Sequence, residues 1–234
     1  MYTPRILRKG PLSAFELTVI ERPWRSTPEY DERVQAVWNQ RVADSAAQGH
    51  HLWDGTHYRL AELDDLSGGG ALRLGSVPFR YVATFRALHE LHGAHGLEPF
   101  HHISTAALLR TQDGHYVFGK RAINGVIDLI GGGFQHGDGA LDFAGNTTKE
   151  IREETGIGAV DLGARRDLGV VMSTTSNVIV IEHIALALSR DGVLAAFERR
   201  EEDEMAEPVF VPAAEIADYL RAMKDYRPLL AELL

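Results

Sequence analysis

The sequence predicts a mixed α/β layer fold of the α+β kind. Short alternating segments rich in β-branched residues recur along the whole chain, and segments of helical period are interspersed among them. The composition is that of a globular protein, 44% apolar and 24% charged over 234 residues, with ample sequence for a real core. No run approaches the about 18 consecutive apolar residues that a membrane span requires.

The elements follow in chain order. SAFELTVIER (Ser13 to Arg22) alternates as a strand and stops at Pro23. Ser26-Thr27-Pro28-Glu29 is a helix start, and Val34, Val37, Trp38 and Val42 then recur at helical spacing through Ala47. HLWDGTHYRLAEL (His51 to Leu63) reads as a hairpin about Asp54-Gly55. After the Gly68-Gly69-Gly70 turn, ALRLGSVPFRYVA reads as a strand, and Phe85 to Gly93 as a short helix. The character changes at GAHGLEP (Gly93 to Pro99), which predicts a smaller, mixed, β-rich unit over 1–98 and a second unit over 99–234. The second unit begins with strands HISTAALLRT and HYVFGKRA about the Gln112-Asp113-Gly114 turn, followed by the apolar strand VIDLI and Gly131-Gly132-Gly133. Further strands are expected near Leu168 to Met172, over Val178 to Ser189 and at Glu207 to Pro212, and the helical runs AAEIADYLRAM and DYRPLLAELL follow.

Charge and composition exclude several function classes. The formal net charge is −9, so the phosphate backbone of a nucleic acid would be repelled, and no nucleic-acid partner is expected. No membrane partner is expected either. There is no cysteine, which rules out disulfides and thiolate metal sites and suits a cytoplasmic location. The stretch MYTPRILRKGPL lacks the apolar run of a secretory signal. His50-His51 and His101-His102 lack the helical spacing of paired metal ligands. A homodimer is compatible with all of this.

The acidic excess gathers in two places, Glu150 to Glu154 and Glu198 to Glu207. Thr147-Thr148-Lys149-Glu150 has the form of a capping box, and Gly156 is placed as a helix-ending glycine, so a helix is predicted over about 147–155. An earlier start is also open, because Leu141, Ala144, Thr148, Ile151 and Thr155 form a stripe at three- and four-residue steps. On this helix Glu150, Glu153 and Glu154 share a face at i, i+3 and i+4. Three carboxylates so placed either form a solvated acidic surface or hold Mg²⁺ or Mn²⁺, since hard cations favour such ligands.

The glycine-rich strand end, an acid after it, and the helix KEIREETGI together resemble the Nudix hydrolase family. The match falls on Glu150, Ile151, Glu153, Glu154, Gly156 and Ile157. Lys149 stands where the family has arginine. The upstream acid is Asp138, five residues on from Gly132 and three residues further from the helix than the family pattern, with Asp142 as the other candidate; the regularly spaced position is Leu141, which cannot bind a metal. The resemblance implies an α/β/α sandwich and divalent-metal hydrolysis of a nucleoside diphosphate linked to another moiety. It assigns Glu153 and Glu154 as metal ligands, Glu150 as ligand or base, and Asp138 as a further ligand. Gly132 and Gly133 would face the substrate, and Lys120 and Arg121 either grip phosphate or are surface cations. Glu201, Glu202 and Glu204 are candidates for an acid from a later loop, or for a solvated run.

The first unit resembles the N-terminal region of the UDP-glucose-hydrolysing branch of that family. The residues concerned are Trp38, Arg41, Leu52, Trp53, Gly55, Tyr58, Arg59, Leu60, Leu74 and Gly75. Phe79-Arg80-Tyr81 departs from that branch, where a tyrosine-lysine pair is the rule. The implied substrate is a small-molecule nucleotide, a UDP-sugar such as UDP-glucose, cleaved to UMP and a sugar 1-phosphate. The competing expectations are an ADP-ribose-type pyrophosphatase and a nucleotide sensor that does not cleave.

Overall fold

A single buried strand, β5 (His101–Arg110), organises the computed structural model. The structure describes residues 2–11, 15–20, 24–47, 49, 51–61, 70–94, 97, 100–133 and 142–234. Along one edge β5 pairs in parallel with β9 (Val178–Leu186), which pairs antiparallel with β8 (Leu162–Met172), and β8 in turn pairs with β1 (Arg5–Lys9). The other edge is shared by three segments. His101 and His102 pair with β3 (Thr56–Leu60), Leu109 and Arg110 pair with β6 (His115–Arg121), and the glycine-rich segment bridges Ser104 and Ala107 between them. β3 continues through β4 (Gly70–Pro78) to β2 (Phe15–Val19), while β6 carries β7 (Ile127–Asp128) and β10 (Met205–Pro212).

Alternation along β5 sorts its side chains onto two faces. Ala106 and Leu108 join Phe118, Ile179, Ile181, Leu220 and Leu230, so this face is covered by α5 (Ile216–Ala222) and α6 (Arg227–Leu230). Ala107 and Leu109 join Val117, Ile151, Ile184, Val193 and Phe197, so the opposite face is covered by α3 (Phe143–Thr155) and α4 (Arg190–Phe197). The result is helices on both faces of a mixed sheet, the layered α/β fold that the alternating segments predict. No described helix is long and apolar enough to cross a membrane.

Among the described residues, the segment before residue 99 contributes four strands and two helices, α1 (Pro28–Ala47) and α2 (Phe79–Ala94). Its strands join the same sheet as the later ones, β1 beside β8 and β3 beside β5. α1 begins where its sequence signals place it, with the Thr27 hydroxyl accepting the Tyr30 N–H at 3.3 Å. Two local expectations are corrected. His51 to Ala61 forms no hairpin about Asp54-Gly55, because Asp54 caps α2: its carboxylate accepts the Arg80 N–H at 2.8 Å and pairs with the Arg80 guanidinium at 3.0 Å, and Glu62 and Leu63 lie outside the described residues. For the same reason β4 ends at Pro78 and helix begins at Phe79, where the sequence predicts a strand continuing to Ala83. β1 and α4 carry no expectation from the sequence. Arg5–Lys9 has only two apolar residues, and α4 is a short helix that follows a strand directly, with the Ser189 side chain accepting the Gly192 N–H at 3.3 Å.

Of the residues that resemble the UDP-glucose branch, Tyr58, Leu60 and Leu74 are core side chains and Trp38 is buried. Trp53, by contrast, is 63% exposed.

Candidate functional site

The segment Gly131-Gly132-Gly133 lies against the edge of β5 in the gap between β3 and β6. Thr105 N–H donates to Gly132 O at 2.9 Å and Ala107 N–H to Ile130 O at 2.8 Å. Gly131 has φ +157, and a Cβ there would run into the Thr105 carbonyl. A Cβ at Gly132 would collide with the Glu150 carboxylate. The glycines therefore let this segment sit close to β5 and let α3 bring a carboxylate onto its backbone.

α3 starts earlier than the capping box suggests. Asp142 is the N-cap, with its side chain accepting the Gly145 N–H, and Gly156 ends the helix at φ 69. The Thr147 hydroxyl instead donates to Phe143 O at 2.8 Å inside the helix. Six residues of α3 are buried, Asn146, Thr147, Glu150, Ile151, Glu154 and Thr155. The three glutamates diverge in consequence. Glu154 is 1% exposed and its Oε2 accepts the Gly131 N–H at 3.0 Å. Glu150 is 7% exposed against Gly132. Glu153 is half-buried and pairs with Lys149 and Arg152, each at 3.3 Å.

Burial sets the electrostatics. The Glu150 carboxyl is pushed up to about 7, first by burial, while Lys149 at 3.6 Å lowers it and Glu153, Glu202 and Glu204 raise it. The Glu154 carboxyl is pushed up to about 8, again first by burial. Arg121 and the Gly131 N–H oppose the rise, and Glu204 and Glu150 add to it. Glu202 is raised too, by burial and then by Glu204 and Glu153. The acidic run after α4 is solvent-exposed at Glu201, Glu202 and Glu204, yet it is not remote from the helix. It folds against the end of α3, where the N–H groups of Glu201 and Glu202 both donate to Glu153 O at 3.0 Å, and Arg152 pairs with Glu201 at 3.0 Å.

The two candidate phosphate cations separate clearly. Arg121 lies 3.6 Å from Glu154 and 2.5 Å from Glu204, and these carboxylates together with Asp128 keep it charged against the penalty of burial. Lys120 pairs with Glu207 at 2.8 Å on the exposed edge between β6 and β10.

Arg121 and Gly131, Gly132 and Gly133 also line a cavity of about 660 Å³. Ser104, Thr105, Ala106 and Ile179 contribute to its sheet side, with Asn124 and Val126 from the turn after β6. Asp128, Lys224, Tyr226 and Arg227 also line it. The helix glutamates do not line it. The glycine segment is the shared boundary, and Arg121 is the side chain that belongs to both. A volume of this size suits a nucleotide-sized ligand.

Among the described residues no three His, Asp or Glu side chains converge closely enough to hold a metal ion. Asp138 lies outside the described residues, as do Phe134, Gly137 and Leu141. Asp142 is engaged in capping α3. The donor set still fits a hard dication in kind: Glu150 and Glu154 are carboxylates whose burial makes their charge costly, and a dication beside them offsets that cost. Lys149 and Arg121 provide the positive charge next to them in this structure.

Several residues of the helix and of the cavity carry no signal in the sequence. Asn146 donates from Nδ2 to Thr105 Oγ1 at 2.8 Å, joining α3 to β5 beside the glycines. His102 lines the cavity and is kept neutral, its pKa pushed down to about 3 by burial and then by His57. Arg227 pairs with Asp128 at 2.6 Å from 99 residues away in the chain, and Tyr226 donates to the same carboxylate at 3.2 Å. Only a spacing signal at helical or motif range could have found such residues, and these are long-range contacts.

No protein-family model and no curated protein matches the sequence. Among solved structures, Tm1382, described as a candidate Nudix hydrolase, is similar over 82% of this chain and 93% of its own, at 13% identity and a TM-score of 0.45. The NUDIX domain of Shewanella oneidensis NrtR, solved with ADP ribose, is similar over 62% of this chain and 94% of its own, at 15% identity and a TM-score of 0.42. The MutT protein from Methanosarcina mazei Go1 is similar over 57% of this chain and 89% of its own, at 20% identity and a TM-score of 0.36. At identities and scores of this size, the activity of this chain has to be read from its own residues.

Proposed function

We propose that this protein is a Nudix-type hydrolase that cleaves the diphosphate of a nucleoside diphosphate derivative with Mg²⁺ or Mn²⁺. A UDP-sugar such as UDP-glucose is the first candidate substrate, giving UMP and a sugar 1-phosphate. The observation that carries the reading is the placement of Glu150 and Glu154. Both are buried carboxylates set against Gly132 and Gly131, at the boundary of a cavity of about 660 Å³.

Glu150 and Glu154 would hold the metal, with Glu153 at the more open side of the same helix. A bound dication supplies charge to the phosphate oxygens and acidifies a water for attack on phosphorus. The remaining functions fall to the chain. Arg121 reaches the cavity and is held charged, so it is placed to grip a phosphate oxygen that enters beside Gly131. Glu150, beside the glycine segment, would accept the proton of the attacking water. The sheet-side residues Ala106 and Ile179 give an apolar floor for the rest of the substrate. Asp138 remains the proposed upstream acid.

A second reading has its own observation. The glutamates are already paired with Lys149, Arg152 and Arg121, and no three described acids converge. That pattern favours a module that binds a nucleotide without cleaving it. Incubation with UDP-glucose, UDP-galactose, ADP-ribose and a nucleoside triphosphate, each with and without Mg²⁺, separates the readings. Mg²⁺-dependent release of UMP from the UDP-sugars supports the first. Cleavage of ADP-ribose alone replaces the UDP-sugar with an ADP-ribose-type substrate. Nucleotide-induced thermal stabilisation with no turnover of any substrate supports the sensor.

A further inference from the structure

α3 carries the glutamates of the proposed site, yet its first two turns are poorly made for a helix. Gly145, Asn146, Thr147 and Thr148 follow one another there, and each ranks well below alanine in helix propensity. Thr147 and Thr148 also turn their hydroxyls back to Phe143 O and Ala144 O, both at 2.8 Å, a bond that competes with the helix ladder. These turns lead directly into Glu150. Contacts from outside the helix therefore decide where they lie.

Arg165 on β8 supplies such contacts. Its Nη1 donates to Thr148 Oγ1 at 2.7 Å and its Nη2 to Ala144 O at 3.1 Å. The same guanidinium is seated on Glu182 of β9, through Nε to Oε1 at 3.2 Å and Nη2 to Oε2 at 2.7 Å. Glu182 is 3% exposed, so the bidentate pair has a fixed base. A cation beside the first turns of a helix is opposed by the helix dipole, so stabilising an isolated helix does not explain this placement. A tie between sheet and helix does.

The row of the sheet on which Glu182 stands is also the row that seats the glycine segment. Glu182 is in register with Ala107 of β5, and the Ala107 N–H donates to Ile130 O at 2.8 Å, one residue before Gly131. One row thus locates both partners of the Glu150 contact, the glycine segment from one side and α3 from the other. We propose that Arg165 is a positioning residue for the helix glutamates: from its seat on Glu182 it fixes the first two turns of α3 and so sets where Glu150 meets Gly132. Its consequence for turnover rests on the metal reading given under Proposed function.

The test combines hydrogen exchange of the metal-free full chain with Mg²⁺-dependent cleavage of UDP-glucose and ADP-ribose. Arg165→Lys keeps a charge on Glu182 but loses the fork that reaches α3. Its α3 amides should exchange roughly tenfold faster while those of β5 and β9 are unchanged. Its kcat should fall roughly tenfold, with KM within about twofold of wild type. Arg165→Met combined with Glu182→Met removes the pair without stranding a buried charge, and it should give the same pattern. Should Arg165→Lys fail to fold, this double variant decides. Thr148→Val, which removes one of the two helix contacts, should show a smaller change in the same direction. Wild-type exchange in α3 of a folded variant, or faster exchange with unchanged kcat, overturns the inference. So does a rise in exchange that is equal across α3, β5 and β9, since Arg165 would then serve global stability only. Wild-type protein that cleaves neither diphosphate overturns the hydrolase reading instead, and exchange in α3 then decides the positioning by Arg165 on its own.

Discussion

Asp128 on the cavity wall and the helix glutamates behind the glycine segment are treated in opposite ways. Asp128 is saturated: Arg227 donates to it from Nε at 3.0 Å and approaches from Nη2 at 2.6 Å, Tyr226 donates at 3.2 Å and the Leu129 N–H at 2.9 Å. Behind the glycine segment Glu150 and Glu154 are more deeply buried yet less well paired, their nearest cations standing 3.6 Å away, and they are raised to about 7 and about 8 respectively. The residue chemistry is the same, so the difference lies in what remains for a ligand to supply. A saturated carboxylate stabilises the fold, whereas a buried carboxylate with unmet demand for positive charge marks a binding site.

The largest expected effect breaks the comparison at the helix glutamates. Glu154→Gln keeps the shape and the Gly131 contact but removes the charge, so metal-dependent turnover falls by about a hundredfold or more while the circular dichroism spectrum is unchanged. Turnover within a few-fold of wild type would remove Glu154 from the chemistry. The counterpart on the cavity wall is Asp128→Asn, which leaves the Arg227 guanidinium without its carboxylate. We expect a loss of about 2 kcal/mol in stability and a Tm lower by about 6 °C, with Mg²⁺ binding little changed. The value is below that of a fully buried pair because the Asp128 side chain keeps 22% of its exposure.

A pH series sharpens the same contrast. Glu150 and Glu154 have folded pKa values above their ordinary value of 4.5, so the folded state holds their protons more tightly than the unfolded chain does. Their contribution to stability is complete below pH 4.5 and is lost as the pH rises through about 7 and about 8. Metal-free protein should therefore lose Tm progressively between about pH 5 and about pH 8. Added Mg²⁺ should restore more at the upper pH than at the lower. Equal stabilisation at both, in a thermal melt, would show that the metal does not sit at these carboxylates.

Smaller effects test the cations. Lys149→Arg keeps a positive charge beside Glu150 and Glu153, and it should alter kcat by less than about threefold despite the change of side-chain geometry. Lys120→Ala should change KM by less than about twofold, because Lys120 is paired with Glu207 on an exposed edge. A larger rise in KM would return Lys120 to the phosphate site.

Periodicity made the layered fold legible, since β5, β6, β9 and β10 are strands whose alternation survives in the sequence. Asp54-Gly55 misleads because the same dipeptide chemistry serves a hairpin turn or a distant cap, and only the position of Arg80 decides between them. At the site, helical spacing places Glu150, Glu153 and Glu154 on one helix but treats them as equals. Burial separates them, and burial depends on where the glycine segment meets β5. Asn146, Arg227 and Tyr226 were out of reach for a related reason: their partners Thr105 and Asp128 are 41, 99 and 98 residues away respectively. Asp138 belongs to a stretch outside the described residues, and its role remains the proposal that the sequence makes.

Under the proposed function, the buried pair Glu150 and Glu154 would hold a dication at the cavity boundary. Anomalous diffraction from crystals grown with Mn²⁺ and a non-hydrolysable UDP-sugar analogue decides this. An anomalous peak is expected in direct contact with the carboxylates of Glu150 and Glu154, at about 2.0–2.3 Å from their oxygens. A well-ordered α3 with analogue in the cavity and no peak beside those two carboxylates at millimolar Mn²⁺ would contradict it.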